Sequence, residues 1–435
     1  MHERDVASDL RGCYDAAIAA ADPARAVHEG LDAREVALEL GRDRTHWIIA
    51  LGKAAPAMAG AALLHCATHG LNVGGGLVVS ASTKPATYPM LECLTGDHPV
   101  PGIRSQHAAE RLGALTEQIG REDVVLVLLS GGTSSLVGAA IPGVRDEDLA
   151  ALHSLLLGAG VPIGRINAVR KRFSRWGAGR LAAALECERI IPILLADVPN
   201  EDPAMIGSGP VSPDPLAAWH VERILRDAEI AVQVPLSIAS TLGAMRAGVV
   251  PETPKAEHPA FARVEEPFVV GNTAALNGAA AHAAALGYAP VLLAHTILTG
   301  DATAAGRVLA HSLARATPGT CLIWGGETTV RLPADHGLGG RCQQLALSAA
   351  EVLDDLGLSE SWLLAAGTDG RDGPAPASGA LVHGMSWGES RAREGGPAEA
   401  LSRCDAFGAL AAAGAILPLR ETGTNVMDIV VAVRV

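Results

Sequence analysis

Short aliphatic runs recur along the chain, and nearly every one gives way to a cluster of glycine, serine, threonine or aspartate. The runs at 47–51 (WIIAL), 76–80, 124–129 (VVLVLL), 190–195, 291–294, 320–324 and 361–366 are apolar at nearly every position, as strands buried on both faces of a parallel sheet are. Alanine- and leucine-rich stretches at 105–117, 146–157 and 273–286 carry helical periodicity between them. This alternation predicts an α/β fold, with the terminal IVVAVRV as a closing strand. Segment 251–267, PETPKAEHPAFARVEEP, holds four prolines and little periodicity, and reads as a linker. The expected organisation is a larger domain over 1–250, the linker at 251–267 and a smaller domain over 268–435.

The polar clusters fall where an open α/β sheet places its ligands, just past the carboxyl ends of the strands. They are SGGTSS at 130–135, ADVPNEDPAMIGSGP at 196–210, GGETT at 325–329 and GTDGRDGP at 367–374. Glycine-rich turns there expose backbone N–H groups to anions, so the pattern points to an enzyme that handles phosphate.

Composition narrows the class. The 435 residues are 49% apolar and only 3% aromatic, enough for two sizeable cores built from Ala, Val, Leu and Ile. The start, MHERDVASDL, lacks a signal-peptide core, and no apolar stretch approaches the roughly 20 residues of a membrane span. The expectation is a cytoplasmic protein with no membrane partner. Of the seven cysteines the nearest pair, Cys321 and Cys342, lies 21 residues apart, which leaves no CxxC knuckle. A net charge of −13 argues against nucleic acid as a partner, and an anionic substrate then needs a local basic site. Six of the 34 Lys and Arg residues lie between Arg165 and Arg180. If that segment is helical, Asn167, Lys171 and Arg175 share one face, with Arg170 close by; a solvated helix face is the competing reading.

Individual strings carry the candidate chemistry. In IIALGKAAPAM (48–58), Lys53 opens a helix and can set a point charge on a phosphate at its N-terminus. No GxxxxGK[ST] is present, which excludes a Walker-type loop. SGGTSSL (130–136) offers Gly131 and Gly132 for positive φ, with hydroxyls at Ser130, Thr133, Ser134 and Ser135, as an anion nest or as a tight turn. No GxSxG elbow occurs, so nucleophilic serine chemistry is disfavoured. Asp197 follows a strand in LADVPNEDP, where a carboxylate can hold Mg²⁺ beside phosphates, take a proton from a hydroxyl, or simply cap a turn. Gly325, Gly326, Glu327, Thr328, Arg341 and Asp369 repeat the polar, glycine-flanked theme in the second half. Arg341 opens a helix, where a cation opposes the helix dipole and calls for an anionic partner.

Taken in order, GKAAPAM, LLSGGTSSL, NAVRKRFS, GRLA, ADVPNEDP, IGSGP, GGETTV, GLGGRCQQLAL, GTDGRDG and TGTNVMD resemble the glycerate 2-kinase family, whose second half is the MOFRL domain. Members are often labelled hydroxypyruvate reductases. The likeness runs from about residue 45 to about 430. It implies two α/β domains, the larger one Rossmann-like with a mainly parallel sheet, and an active site in the cleft between them. It implies ATP-dependent phosphorylation of the 2-hydroxyl of D-glycerate with Mg²⁺, catalysis by Lys53, Asp197 and Arg341, and Asp197 as metal ligand. Phosphate and substrate contacts are then expected from Ser130, Gly131, Gly132, Ser134, Asn167, Arg170 and Lys171, and nucleotide contacts from Gly325, Gly326, Glu327, Thr328, Asp369 and Asn425.

The chain departs from the family pattern at several points. The family's KGGRLA is GAGRLA here, so a lysine is replaced by Gly177; GGRNQELAL becomes GGRCQQLAL, with Cys342 and Gln344. TDGIDGPTD becomes TDGRDGPAP, adding Arg371 and Pro376, and TGPTGTNV becomes LRETGTNV, adding Arg420 and Glu421. The expectation drawn from these changes is that Arg371 and Arg420 flank the acceptor pocket, two solvent-exposed arginines being the other reading. A reductase would need a GxGxxG fingerprint opening a helix after a strand, and none is present. A kinase-derived protein with altered or lost activity stays open, as does the oligomeric state, a homodimer included.

Overall fold

The computed structural model describes residues 5–34, 43–83, 86–294 and 296–435. It resolves two compact units, each built on its own six-stranded sheet.

The larger unit comprises Pro23–Ala196 and Glu201–Val269. Its strands are β1 (Thr45–Leu51), β2 (Asn72–Ser80), β3 (Leu91–Thr95), β4 (Val124–Leu129), β5 (Arg189–Leu195) and β6 (Phe268–Val270), in the order β3-β2-β1-β4-β5-β6. β1 pairs in parallel with β2 and β4, β2 with β3, and β4 with β5. Residues 124–129 are all buried, which is why the sequence shows an unbroken apolar run there. The order reverses direction at β1, and the loops after β1 and β4 are neighbours at the carboxyl edge. A second core, mainly helical, joins the helices Asp146–Gly158, Ile163–Phe173, Ala218–Asp227 and Leu236–Arg246 through Leu152, Leu156, Phe173, Val221 and Leu242.

The smaller unit takes the described residues up to Asp22, Asp197–Asn200 and Val270–Val435. Its strands are β7 (Val291–Leu293), β8 (Cys321–Gly326), β9 (Ser361–Gly367), β10 (Ala377–His383), β11 (Ile416–Pro418) and β12 (Asp428–Arg434), in the order β11-β10-β9-β12-β8-β7. This sheet is mixed. The closing strand β12 lies between β8 and β9 and runs antiparallel to both, and β9 and β10 are antiparallel as well. The expected parallel arrangement of the 361–366 run is therefore corrected. A strand buried on both faces reads the same in either direction, and the connections alone set which it takes.

The division of the chain also differs from the expected 1–250, 251–267 and 268–435. The helix Val6–Ala20 belongs to the smaller unit. The proline-rich segment is packed against the larger one: Glu252 pairs with Arg172 and accepts from Ala218 N at 2.8 Å, and Thr253 Oγ1 donates to Asp214 at 2.9 Å. Its prolines shape a fixed strap. Among the described residues no helix is long and apolar enough to cross a membrane.

Candidate active site

Two clusters of polar side chains gather the sequence candidates, one in each unit. The first grows from the turns after β1 and β4. Gly52 adopts φ 127°, a conformation only glycine takes freely, and a β-carbon there would strike Ser130. This close approach lets Lys53 N donate to Gly131 O at 2.9 Å and Ala54 N to Ser130 Oγ at 3.0 Å. Thr133 Oγ1 donates to Leu51 O and Ser130 O, both at 2.8 Å. The two turns are thereby laced together, and the Lys53 side chain is left exposed at the start of the helix Ala55–His69, which has no side-chain cap.

Beside Lys53 stand Gly132, at φ 89°, and His98; both Lys53 Cγ and the His98 ring lie within 3.5 Å of where a Gly132 β-carbon would sit. Burial, and then the Lys53 charge, lower the His98 pKa and keep the ring neutral. Ser134 Oγ and Ser208 Oγ share a hydrogen bond of 2.7 Å. Ser130 is a correction: its hydroxyl is buried and holds the backbone of Ala54, so it is structural.

The basic run divides. Lys171 is buried against Asp214 at 3.2 Å, and Arg172 pairs with Asp214 and Glu252, so these cations close the helical core and are withdrawn from any ligand. Lys171 is thus corrected as an anion contact. Arg175 lies beyond the helix end at Phe173 and stacks over Trp176, so the predicted Asn167–Lys171–Arg175 face is not formed. Arg180 donates to the carbonyls of Arg172 at 2.7 Å and Ser174 at 3.1 Å, closing the end of that helix. Asn167 and Arg170 remain half-buried on the helix, and Arg170 has no acidic or hydrogen-bonding partner among the described residues. Asp197 follows β5 by two residues and is half-buried. Where the family has a lysine, a β-carbon on Gly177 would meet Ser208 Cβ and O, both at 3.2 Å.

The second cluster is centred on Arg341, first residue of the helix Arg341–Asp355. The anionic partner its position calls for is Asp428, gripped in a bidentate pair at 2.6 and 2.8 Å, with Glu327 on the third nitrogen at 2.9 Å. Burial raises the Asp428 carboxyl to about 6 against the pull of Arg341. Asp372 turns into the helix end, accepting from Cys342 N at 3.0 Å, Gln343 N at 2.8 Å and Gln343 Nε2 at 2.9 Å. Neither Asp428 nor Asp372 was singled out from sequence. The signal available for Asp428 was a lone carboxylate heading the last apolar run.

Glu327, Thr328, His336, Arg341 and Gln344 line a cavity of about 360 Å³. Gly325 and Gly326 end β8 beneath it, packed against Asn272 and Leu298. Asp369 and Asn425 lie outside this cavity in two laced turns, where Thr422 Oγ1 donates to Thr368 O at 2.6 Å and Val426 N to Thr368 Oγ1 at 2.8 Å. Arg371 is exposed beside Glu421 at 3.8 Å. Arg420 pairs with Asp15 at 2.6 Å and stacks over Tyr14 at 4.7 Å, so its charge is neutralised on the N-terminal helix. Of the two arginines expected at an acceptor pocket, neither lines the cavity of this unit.

Comparison with known proteins gives this geometry a family context. Residues 9–243 match the family described as a domain of unknown function, DUF4147, and residues 320–428 match the MOFRL family. The chain is 35% identical to a putative hydroxypyruvate reductase of Agrobacterium vitis, over 97% of this chain and 92% of that one. It is 31% identical to a glycerate 2-kinase of Pyrococcus horikoshii, covering 96% and 94% of the two chains. The crystal structure of glycerate kinase from Thermotoga maritima superposes with a TM-score of 0.85 at 31% identity, covering 99% of this chain and all of that one.

Proposed function

The chain belongs to the glycerate kinase family, and on that premise we propose that it is an ATP-dependent kinase phosphorylating the 2-hydroxyl of D-glycerate or a related small hydroxy acid. The observation that carries this reading is the exposed Lys53 amine beside left-handed Gly132, just ahead of a fifteen-residue helix. An exposed ammonium beside a glycine turn suits phosphate oxygens.

Phosphoryl transfer asks the protein for position and for charge stabilisation more than for covalent chemistry. Lys53 in the larger unit and Arg341 in the smaller each offer positive charge to phosphate oxygens. Asp197 orients the acceptor hydroxyl and takes its proton. Glu327 and Asp428 hold the Arg341 guanidinium at a fixed angle, which lowers the ordering cost of using it. Single carboxylates at strand ends suit Mg²⁺, which is held mostly through phosphates and water; Asp197 would hold it. The ion would neutralise developing charge on the phosphates. The reductase label carried by a relative has no dinucleotide fingerprint in this chain to support it.

The test is incubation with ATP, Mg²⁺ and a panel of hydroxy acids, followed by phosphorus NMR. A new phosphomonoester on the 2-hydroxyl of D-glycerate or a close analogue is expected; its absence for every acid, or NAD(P)H oxidation with hydroxypyruvate, overturns the reading. Asp197→Asn is expected to lower kcat by about 10²- to 10⁴-fold with an unchanged melting curve.

A further inference from the structure

The larger unit contains a second cavity, of about 180 Å³, walled by the 99–101 and 134–139 segments and by the helices Asp146–Gly158 and Ile163–Phe173. It is contiguous with the Lys53 cluster, because His98 and Gly132 sit at the near ends of those same two segments. Its volume falls below the roughly 300–1,000 Å³ of pockets for larger ligands and suits an acid of three or four carbons.

Charge in this cavity is unbalanced. Arg170 lines it without an acidic partner within 4 Å or a hydrogen-bond acceptor among the described residues, while its neighbours Lys171 and Arg172 pair with Asp214 and Glu252. Partial burial lowers the Arg170 pKa, as expected for a cation short of solvent and counter-ion. The nearby His153 pKa is lowered by its own burial and then by Arg170, so the imidazole provides no second charge. Ser134 and Ser208 add hydroxyls to one wall, and Val100 and Leu149 make another apolar. The one carboxylate on the lining, Asp146, already accepts from Gln106 Nε2 at 2.9 Å and Ala140 N at 2.7 Å. An unpaired half-buried guanidinium calls for one anion. A fixed carboxylate nearby repels a second.

We infer that Arg170 seats the carboxylate of the acceptor, and that this cavity restricts the enzyme to small 2-hydroxy monocarboxylates, rejecting hydroxy dicarboxylates through Asp146. The inference rests on the kinase reading for the word acceptor, but carboxylate binding itself does not depend on it.

The experiment measures D-glycerate binding calorimetrically without nucleotide and, separately, kinase kinetics, for wild type, Arg170→Met and Arg170→Lys. Loss of a charge-assisted pair predicts a rise of about 10- to 100-fold in Kd and in KM for D-glycerate in Arg170→Met, with KM for ATP within about twofold of wild type. Arg170→Lys keeps the charge and is expected to fall between, which reports on the site even if the methionine variant misfolds. Methyl D-glycerate, lacking the carboxylate, is expected to discriminate little between wild type and Arg170→Met. The dicarboxylate tartronate is expected to bind at least about 10-fold more weakly than D-glycerate, and Asp146→Asn to narrow that gap. Unchanged KM in both arginine variants of an active kinase overturns the inference and leaves the kinase reading intact. Failure of wild type to phosphorylate any acid, with D-glycerate binding still lost in Arg170→Met, overturns the kinase reading and supports the carboxylate seat. A wild type that neither binds nor phosphorylates D-glycerate overturns both.

Discussion

Asp428 and Arg341 form a bidentate pair in the smaller unit, and the pair has a measurable pH signature. Burial lifts Asp428 from 3.8 to about 6, so the folded chain holds that proton more tightly than the unfolded chain does. Its contribution to stability is therefore greatest below about pH 4 and is lost as pH rises through about 6, by an amount on the order of 2–3 kcal/mol. Asp428→Asn removes this titration. Relative to wild type the variant should gain stability from pH 4 to pH 6.5, read from urea midpoints, and parallel curves would refute the raised pKa. Activity should respond in the opposite sense: protonating Asp428 frees Arg341, so the acid limb of wild-type kcat/KM near pH 6 is expected to vanish in the variant. The sequence made Arg341 legible, since a cation opening a helix needs an anion. Its partner was hidden, because 87 residues separate the pair and only the return of β12 joins them. Lys171 failed for the same reason. A basic run announces charge, but Asp214, which neutralises it, lies 43 residues further on.

At the scale of elements, the helix Arg341–Asp355 shows how a turn distant in sequence can set a helix end. Gly340 at its N-cap offers no side chain, and Asp372, from the turn after β9, reaches the first free N–H groups in its place. Removing that carboxylate strands two buried backbone donors and leaves the Gln343 amide only the Asp372 carbonyl. Asp372→Ala should cost about 2–3 kcal/mol, combining a lost cap with unmet donors. Guanidinium denaturation followed by the near-ultraviolet signal of Trp324 and Trp387 would register it, and a change below about 0.5 kcal/mol would show that water replaces the carboxylate. The pattern of apolar positions located most long strands and the helices over 105–117, 146–157 and 273–286, because burial on one or both faces writes itself into local composition; it missed β10 and the helices Val6–Ala20 and Ala302–Arg315. It passed over the short edge strands β3, β6 and β11, which are too brief to carry a pattern. It also misread 251–267, where prolines suit a rigid strap as well as a linker, and only Glu252 and Thr253 reveal which.

Across the whole molecule, the chain is interlaced: its first helix belongs with its last half. Helix Val6–Ala20 buries Val6, Leu10, Cys13, Tyr14 and Ala17 there. Gly278 on the helix Asn272–Ala285 admits it closely, since a β-carbon at that position would fall 2.6 Å from Ala16 O. Tyr14 donates to Gly367 O at 2.6 Å and its pKa is pushed up to about 12, chiefly by burial. Thr424 Oγ1 donates to Ala21 O and Arg420 Nη2 to Asp15 Oδ1, both at 2.6 Å. Burial of Val6, Leu10 and Tyr14 stabilises by roughly 1.5–3 kcal/mol each. Their sum approaches the 5–15 kcal/mol that holds an ordinary domain together. A chain beginning at Pro23 should therefore keep the larger unit folded while residues 270–435 lose protection. Limited proteolysis with mass mapping reads this directly: rapid cleavage within 270–435, beside a persistent 23–269 fragment, is the expected result. Equal resistance of 270–435 with and without the first 22 residues would mean that the smaller sheet and its own helices suffice, and that the N-terminal helix is an addition to a finished core.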